Sequence, residues 1–210
     1  MKSLLIICLI IVGGFFILRD STPKGICPLN GTHIITLGDS LANGFGVDEN
    51  DSFGIQIPRI LGKSAIKSGI DGEVSGGLLA RIDGELVGKN LSAIIISIGG
   101  NDFLRKLDKA TTERNIRAIV QKAKAKTSCV VLLGVPDGIL GGLAGGVSRI
   151  YYDISDGEGI LLESSAMPQI LKQHSLKVDE IHPNKDGHAI IAQNIAELIK
   201  KAKYAIRKNS

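Results

Sequence analysis

The sequence has no tryptophan, and aromatic residues make up only 4% of its 210 positions. That scarcity argues against an aromatic platform for stacking sugars or bases. Cysteine is also rare, with three residues, and none stands with histidine at zinc-site spacing. Neither sign of charge dominates: 25 Lys and Arg against 21 Asp and Glu leave a net +4. The basic residues are spread out, except for Lys200, Lys201, Lys203, Arg207 and Lys208 near the C-terminus. Such a cluster reads as the solvated face of a terminal helix, and no nucleic-acid partner is expected. A dinucleotide loop is missing too: Gly44 and Gly46 lack the third glycine and the helix-opening phosphate loop of that pattern. No internal repeat is visible.

Apolar residues make up 44% of the chain, enough for a real core, and the length fits one domain with an appendage. The appendage is the unbroken apolar run LLIICLIIVGGFFIL, Leu4 to Leu18. It is marginal as a membrane span, which usually needs about 20 residues. Residues 1–18 therefore read as a signal peptide or an uncleaved membrane anchor, with the domain exported to the periplasm or held on the inner membrane facing it. Residues 19–31, rich in polar residues, Pro and Gly, read as a linker, and 32–210 as the domain. Export puts Cys27 and Cys129 in an oxidising compartment. They can pair or remain buried thiols; sequence does not give their separation.

Within the domain, short β-branched runs alternate with helical spacing. Strands are expected at Ile34–Leu37, Ala65–Lys67, Leu91–Ile98, Cys129–Leu133 and Ile160–Leu162. Helices are expected at Phe53–Leu61, despite Pro58, at Ser75–Val87, from a Thr111 or Thr112 cap to about Lys126, and at about Lys185–Ala205. The pattern implies a mostly parallel sheet with helices on both faces. His188 is expected near the surface of the last helix.

The stretch HIITLGDSLANGFG, His33 to Gly46, organises the rest. Its strand stops at Gly38 and presents Asp39 and Ser40 at a carboxyl end, where open α/β sheets bind ligands. Three other features fall at loops on the same side: Gly72, Asn101, and Asp179 with His182. Together they are the parts of an acyl-transfer site. A serine hydroxyl needs a base, which His182 can be, and the imidazole needs an orienting acid, which Asp179 can be. The Ser40 N–H, the Gly72 N–H and the Asn101 amide can face a tetrahedral oxyanion. Pro183 keeps His182 out of the helix that follows, and Asn184 can cap that helix. No other histidine has an acid three residues before it.

Four blocks carry a resemblance: Gly38-Asp39-Ser40-Leu41, Gly72 within IDGEVSGGLLARI, Gly99-Gly100-Asn101-Asp102, and Asp179-Glu180-Ile181-His182 followed by Pro-Asn. In that order they resemble the SGNH hydrolase superfamily, also called GDSL esterases and lipases, from about His33 to the C-terminus. The nearest flavour is the small bacterial lysophospholipase/thioesterase/arylesterase group, usually periplasmic. The resemblance implies an α/β/α sandwich with a flavodoxin-like sheet of five strands. It also implies ester or thioester hydrolysis with the four roles above, and no metal or other cofactor. Val74 departs from the polar residue many members carry there. The apolar loop bearing Ile139, Leu140 and Leu143 is expected to cover an acyl chain, which favours lipid or aryl esters. Removal of O-acetyl groups from a carbohydrate is a second reading. A catalytically idle, membrane-tethered binding module is a third.

Overall fold

The computed structural model describes residues 25–136, 138 and 145–208. Five strands form one parallel sheet: β1 (His33–Gly38), β2 (Ser64–Gly69), β3 (Leu91–Ser97), β4 (Val130–Leu133) and β5 (Leu161–Glu163). Their spatial order is β2-β1-β3-β4-β5. The chain leaves β1 toward one edge, then crosses back over it to place β3 on its other side. The order thus reverses beside β1, and the crevice at such a switch point is where these sheets bind ligands.

Among the described residues eight α-helices surround the sheet: α1 (Ser40–Asn43), α2 (Phe53–Leu61), α3 (Ser75–Leu86), α4 (Gly100–Leu104), α5 (Lys109–Lys124), α6 (Arg149–Glu158), α7 (Ala166–Leu171) and α8 (Lys185–Lys208). Alternation along the strands builds two cores. Ile34, Ile95 and Val131 face a layer with Ile57 of α2, Ile170 of α7 and Ile195 of α8. Ile35, Ile94 and Leu132 face Ile82 of α3, Ile119 of α5 and Ile154 of α6. Each such side chain, fully buried, contributes about 1.5–3 kcal/mol. This is the three-layer α/β/α sandwich expected.

Several expectations need correction. The cap of α5 is Asp108, whose Oδ1 accepts from the N–H and the hydroxyl of Thr111 at 2.8 and 2.6 Å, so the helix starts earlier than either threonine. The sequence pattern does not predict α1, α4, α6 or α7. The fifth strand begins at Leu161, one residue late. His188 is fully buried instead of lying near the surface. Its imidazole Nδ1 accepts the Phe53 N–H at 3.3 Å and its ring stacks on Phe53. Pro58 sits inside α2 without ending it. Cys27 and Cys129, left open by the sequence, form a disulfide at the amino edge of the sheet, 102 residues apart. Among the described residues no helix is long and apolar enough to cross a membrane; Leu4–Leu18 lies outside them.

Candidate active site

Ser40 owes its place to a close approach of two strands. At Gly38, with φ +148°, a Cβ would stand 1.7 Å from the Ser97 carbonyl oxygen, so no other residue fits without backbone movement. The Asp39 N–H donates to that same carbonyl at 3.1 Å. The Asp39 carboxylate then accepts the Leu41 N–H at 3.1 Å and caps α1. Ser40 is the first residue of α1, and among the described residues its N–H meets no acceptor.

The histidine comes from a tight loop before α8. The Val178 N–H donates to the His182 carbonyl at 3.0 Å and the Asn184 N–H to Leu176 at 2.9 Å, closing the loop. Asp179 Oδ1 accepts the N–H groups of Ile181 and His182 at 2.9 and 2.8 Å, while Oδ2 lies 2.7 Å from His182 Nδ1. His182 Nε2 lies 2.9 Å from Ser40 Oγ. Burial pushes the Asp179 carboxyl up, but the Ile181 N–H, the His182 ring and N–H, and the charge of His182 outweigh it, leaving its pKa below the usual carboxylate value. An ionised Asp179 accepts the Nδ1 proton, which leaves Nε2 as the acceptor for the Ser40 hydroxyl. Phe45 rests on the imidazole with ring centroids 4.4 Å apart. Asn184 caps α8 as expected, accepting the Asp186 and Gly187 N–H groups at 3.1 Å each.

Gly72 is the third residue of a turn closed by the Glu73 N–H on the Ile70 carbonyl at 3.1 Å. Its φ of +75° is the one a type II turn asks of that position. Asn101, early in α4, donates through Nδ2 to the Glu73 carbonyl at 3.1 Å. Ser40, Asn101 and His182 line one cleft. Asp179 stands behind His182, and Gly72 precedes Glu73, whose carbonyl Asn101 holds. Among the described residues the Gly72 N–H meets no acceptor.

The cleft is small, about 30 Å³, and apolar residues complete it: Leu104 of α4, Val135 after β4, Met167 and Leu171 of α7, and Ile181. Met167 and Leu171 escaped the sequence reading, although their i, i+4 spacing marks one helical face. Ile139, Leu140 and Leu143 lie outside the described residues. No group of three or more potential metal ligands occurs among the described residues.

Two groups under the site are electrostatically unusual. Burial raises Asp39 from 3.8 to about 7; the Leu41 N–H and its own N–H oppose this, and the charges of Glu73 and Asp102 add to it. Burial lowers His188 from 6.5 to about 4, helped by Lys67. Because His188 Nδ1 accepts the Phe53 N–H, Nε2 carries the proton, and among the described residues it finds no acceptor.

Comparison with known proteins follows the same lines. The GDSL-like lipase/acylhydrolase family matches residues 36–190. Esterase TesA of Pseudomonas aeruginosa is 25% identical over 179 residues, covering 80% of this chain and 87% of that protein. Thioesterase 1/protease 1/lysophospholipase L1 of Escherichia coli K12 is 27% identical over 173 residues, covering 78% and 81%. Among solved structures, the psychrotrophic esterase EstA from Pseudoalteromonas sp., inhibited by monoethylphosphonate, superposes with a TM-score of 0.68 at 25% identity, covering 81% of this chain and 97% of that one.

Proposed function

Because this chain belongs to the GDSL-like lipase/acylhydrolase family and is a serine ester hydrolase, we propose that it cleaves acyl esters or thioesters through an acyl-enzyme on Ser40. The observation that carries the reading is the unbroken chain from Ser40 Oγ through His182 to Asp179, with contacts of 2.9 and 2.7 Å. In the first half-reaction Ser40 Oγ attacks the acyl carbon while His182 Nε2 takes the hydroxyl proton. Asp179 holds the imidazole and stabilises its charged form. The N–H groups of Ser40 and Gly72 and the Asn101 amide face the oxyanion of the tetrahedral intermediate. The C–O or C–S bond then breaks, and the alcohol or thiol leaves with the proton from Nε2. Water next attacks the acyl-Ser40 ester, with His182 again as base, and the acid departs.

The apolar cleft wall of Leu104, Met167, Leu171 and Ile181 supports an aliphatic or aryl acyl group, in keeping with the thioesterase and lysophospholipase names of the E. coli relative. We further propose that the domain works after export, in the periplasm or tethered to the inner membrane. The Cys27–Cys129 disulfide supports an oxidising compartment.

The test is hydrolysis of p-nitrophenyl acetate, butyrate, octanoate and palmitate by the piece from Asp20 onward, with Ser40→Ala as control. Activity that rises with chain length and vanishes in the control is expected. Activity confined to acetate would redirect the reading to deacetylation, and turnover by Ser40→Ala would overturn it.

A further inference from the structure

The Gly72 turn is strapped to the protein at each of its residues. The Ile70 N–H donates to the Gly38 carbonyl at 2.9 Å. Asp71 accepts from Asn43 Nδ2 at 2.9 Å. Arg105 Nη2 donates to the Gly72 carbonyl at 2.8 Å, and Asn101 Nδ2 holds the Glu73 carbonyl. The remaining strap is the Glu73 side chain, and its partner is Arg81 on α3.

Arg81 makes more connections than an ordinary ion pair. Nε and Nη2 donate to Glu73 Oε1 and Oε2 at 2.7 Å each, a bidentate fork. Nη1 donates to Ser68 Oγ at 2.5 Å, and Nη2 reaches the Ser68 carbonyl at 3.0 Å and the Gly38 carbonyl at 3.4 Å. One guanidinium thus ties the carboxyl ends of β1 and β2 to the residue after Gly72. The Glu73 side chain is only 7% exposed, and its charge acts on buried Asp39. A buried carboxylate in that setting needs a fixed cation, and only a planar fork holds its direction as well.

We propose that Arg81 is a positioning residue for ester hydrolysis: its fork on Glu73 fixes the Gly72 peptide so that its N–H points at the developing oxyanion. This rests on reading Gly72 as an oxyanion donor. A donor stabilises a transition state only if it is aimed before the charge appears. Loss of a whole oxyanion donor costs about 10²–10³ in kcat. Misaiming one of three should cost on the order of 10–100-fold in kcat, with KM changed by less than about threefold.

The experiment compares Arg81→Lys, Arg81→Met and Glu73→Gln with the wild type on p-nitrophenyl butyrate. Thermal melts set a temperature at which every variant is folded. Arg81→Lys keeps the charge but not the fork, so the proposal expects it to lose most of what Arg81→Met loses in kcat. It also expects Arg81→Met/Glu73→Gln to be little worse than Arg81→Met alone, because both remove the same linkage. If Arg81→Met does not fold, Arg81→Lys and Glu73→Gln decide. A kcat within about twofold of wild type in Arg81→Lys, with only the melting temperature lowered, would overturn the proposal and leave a structural clamp. That failure leaves the acyl-enzyme reading standing as long as Ser40→Ala is dead; an active Ser40→Ala removes both.

Discussion

Replacing Asp179 by asparagine should do more harm than replacing it by alanine, and the geometry says why. Oδ1 of Asp179 accepts two backbone N–H groups, at 2.9 and 2.8 Å, and Oδ2 faces His182 Nδ1 at 2.7 Å. An asparagine must keep its oxygen toward the two N–H donors, because turning its NH₂ toward them would oppose donors to donors. Its NH₂ therefore faces Nδ1. That contact stabilises the tautomer with Nδ1 as acceptor and the proton on Nε2, opposite Ser40, where it cannot take the serine proton. The comparable change in a serine protease triad costs about 10⁴ in kcat. The Asp179 side chain is 45% exposed, so water can partly compete, and a loss of about 10³ is expected, roughly 4 kcal/mol of transition-state stabilisation. Alanine leaves Nδ1 to water and either tautomer open, so its loss should be about tenfold smaller. The assay is kcat/KM on p-nitrophenyl butyrate for wild type, Asp179→Asn and Asp179→Ala. An asparagine variant within tenfold of wild type, or clearly better than the alanine variant, would refute the tautomer argument.

Three further outcomes concern stability. Between about pH 4 and 6.5 the unfolded chain binds a proton at His188 that the folded protein refuses, so stability falls with acidification across that window, by about 3 kcal/mol in full; urea unfolding of His188→Gln should show a shallower acid slope, and an unchanged slope would contradict the neutral, buried imidazole. Asp39 has the opposite sign: its folded value is raised from 3.8 to about 7, so its contribution declines as pH climbs through that range. Asp39→Asn should gain stability relative to wild type between pH 4 and 8, by up to about 4 kcal/mol, and a pH-independent difference would count against it. Removing the disulfide with Cys27→Ser, across a separation of 102 residues, should cost about 2–5 kcal/mol of stability, read by denaturant melts. It should leave kcat unchanged, because the link is at the amino end of β4, while Ser40 follows the carboxyl end of β1.

Much of this molecule was legible in the sequence because its signals are local. The buried strands β1 and β3 are short β-branched runs, and each ends at the glycine-bearing turn that presents Ser40 or Asn101. Asp179 and His182 stand three positions apart in one tight loop, so their pairing does not depend on distant packing. What escaped depends on context. α6 follows a Gly-rich stretch and carries Asp156-Gly157 near its end, which hides the helical spacing of Ile150, Tyr151 and Ile154. α7 has Pro168 in its first turn, a position helices tolerate, and its Met167 and Leu171 become cleft wall only once β5 places them there. His188 looked like a surface residue because imidazole is polar, yet it stands three and seven residues before Ile191 and Ile195, at the head of the buried stripe of α8. The fork of Arg81 on Glu73 links the end of the Gly72 turn to the middle of α3; nothing in either residue type announces that it also reaches Ser68 and Gly38.

The central claim is that Ser40 becomes acylated. The most direct measurement is labelling of the piece from Asp20 onward with a fluorophosphonate, followed by intact mass and peptide mapping. One adduct per chain on the Ser40 peptide, absent in Ser40→Ala and much slowed in His182→Ala, is the predicted result. An adduct on another residue, or none while wild-type ester turnover continues, would contradict it.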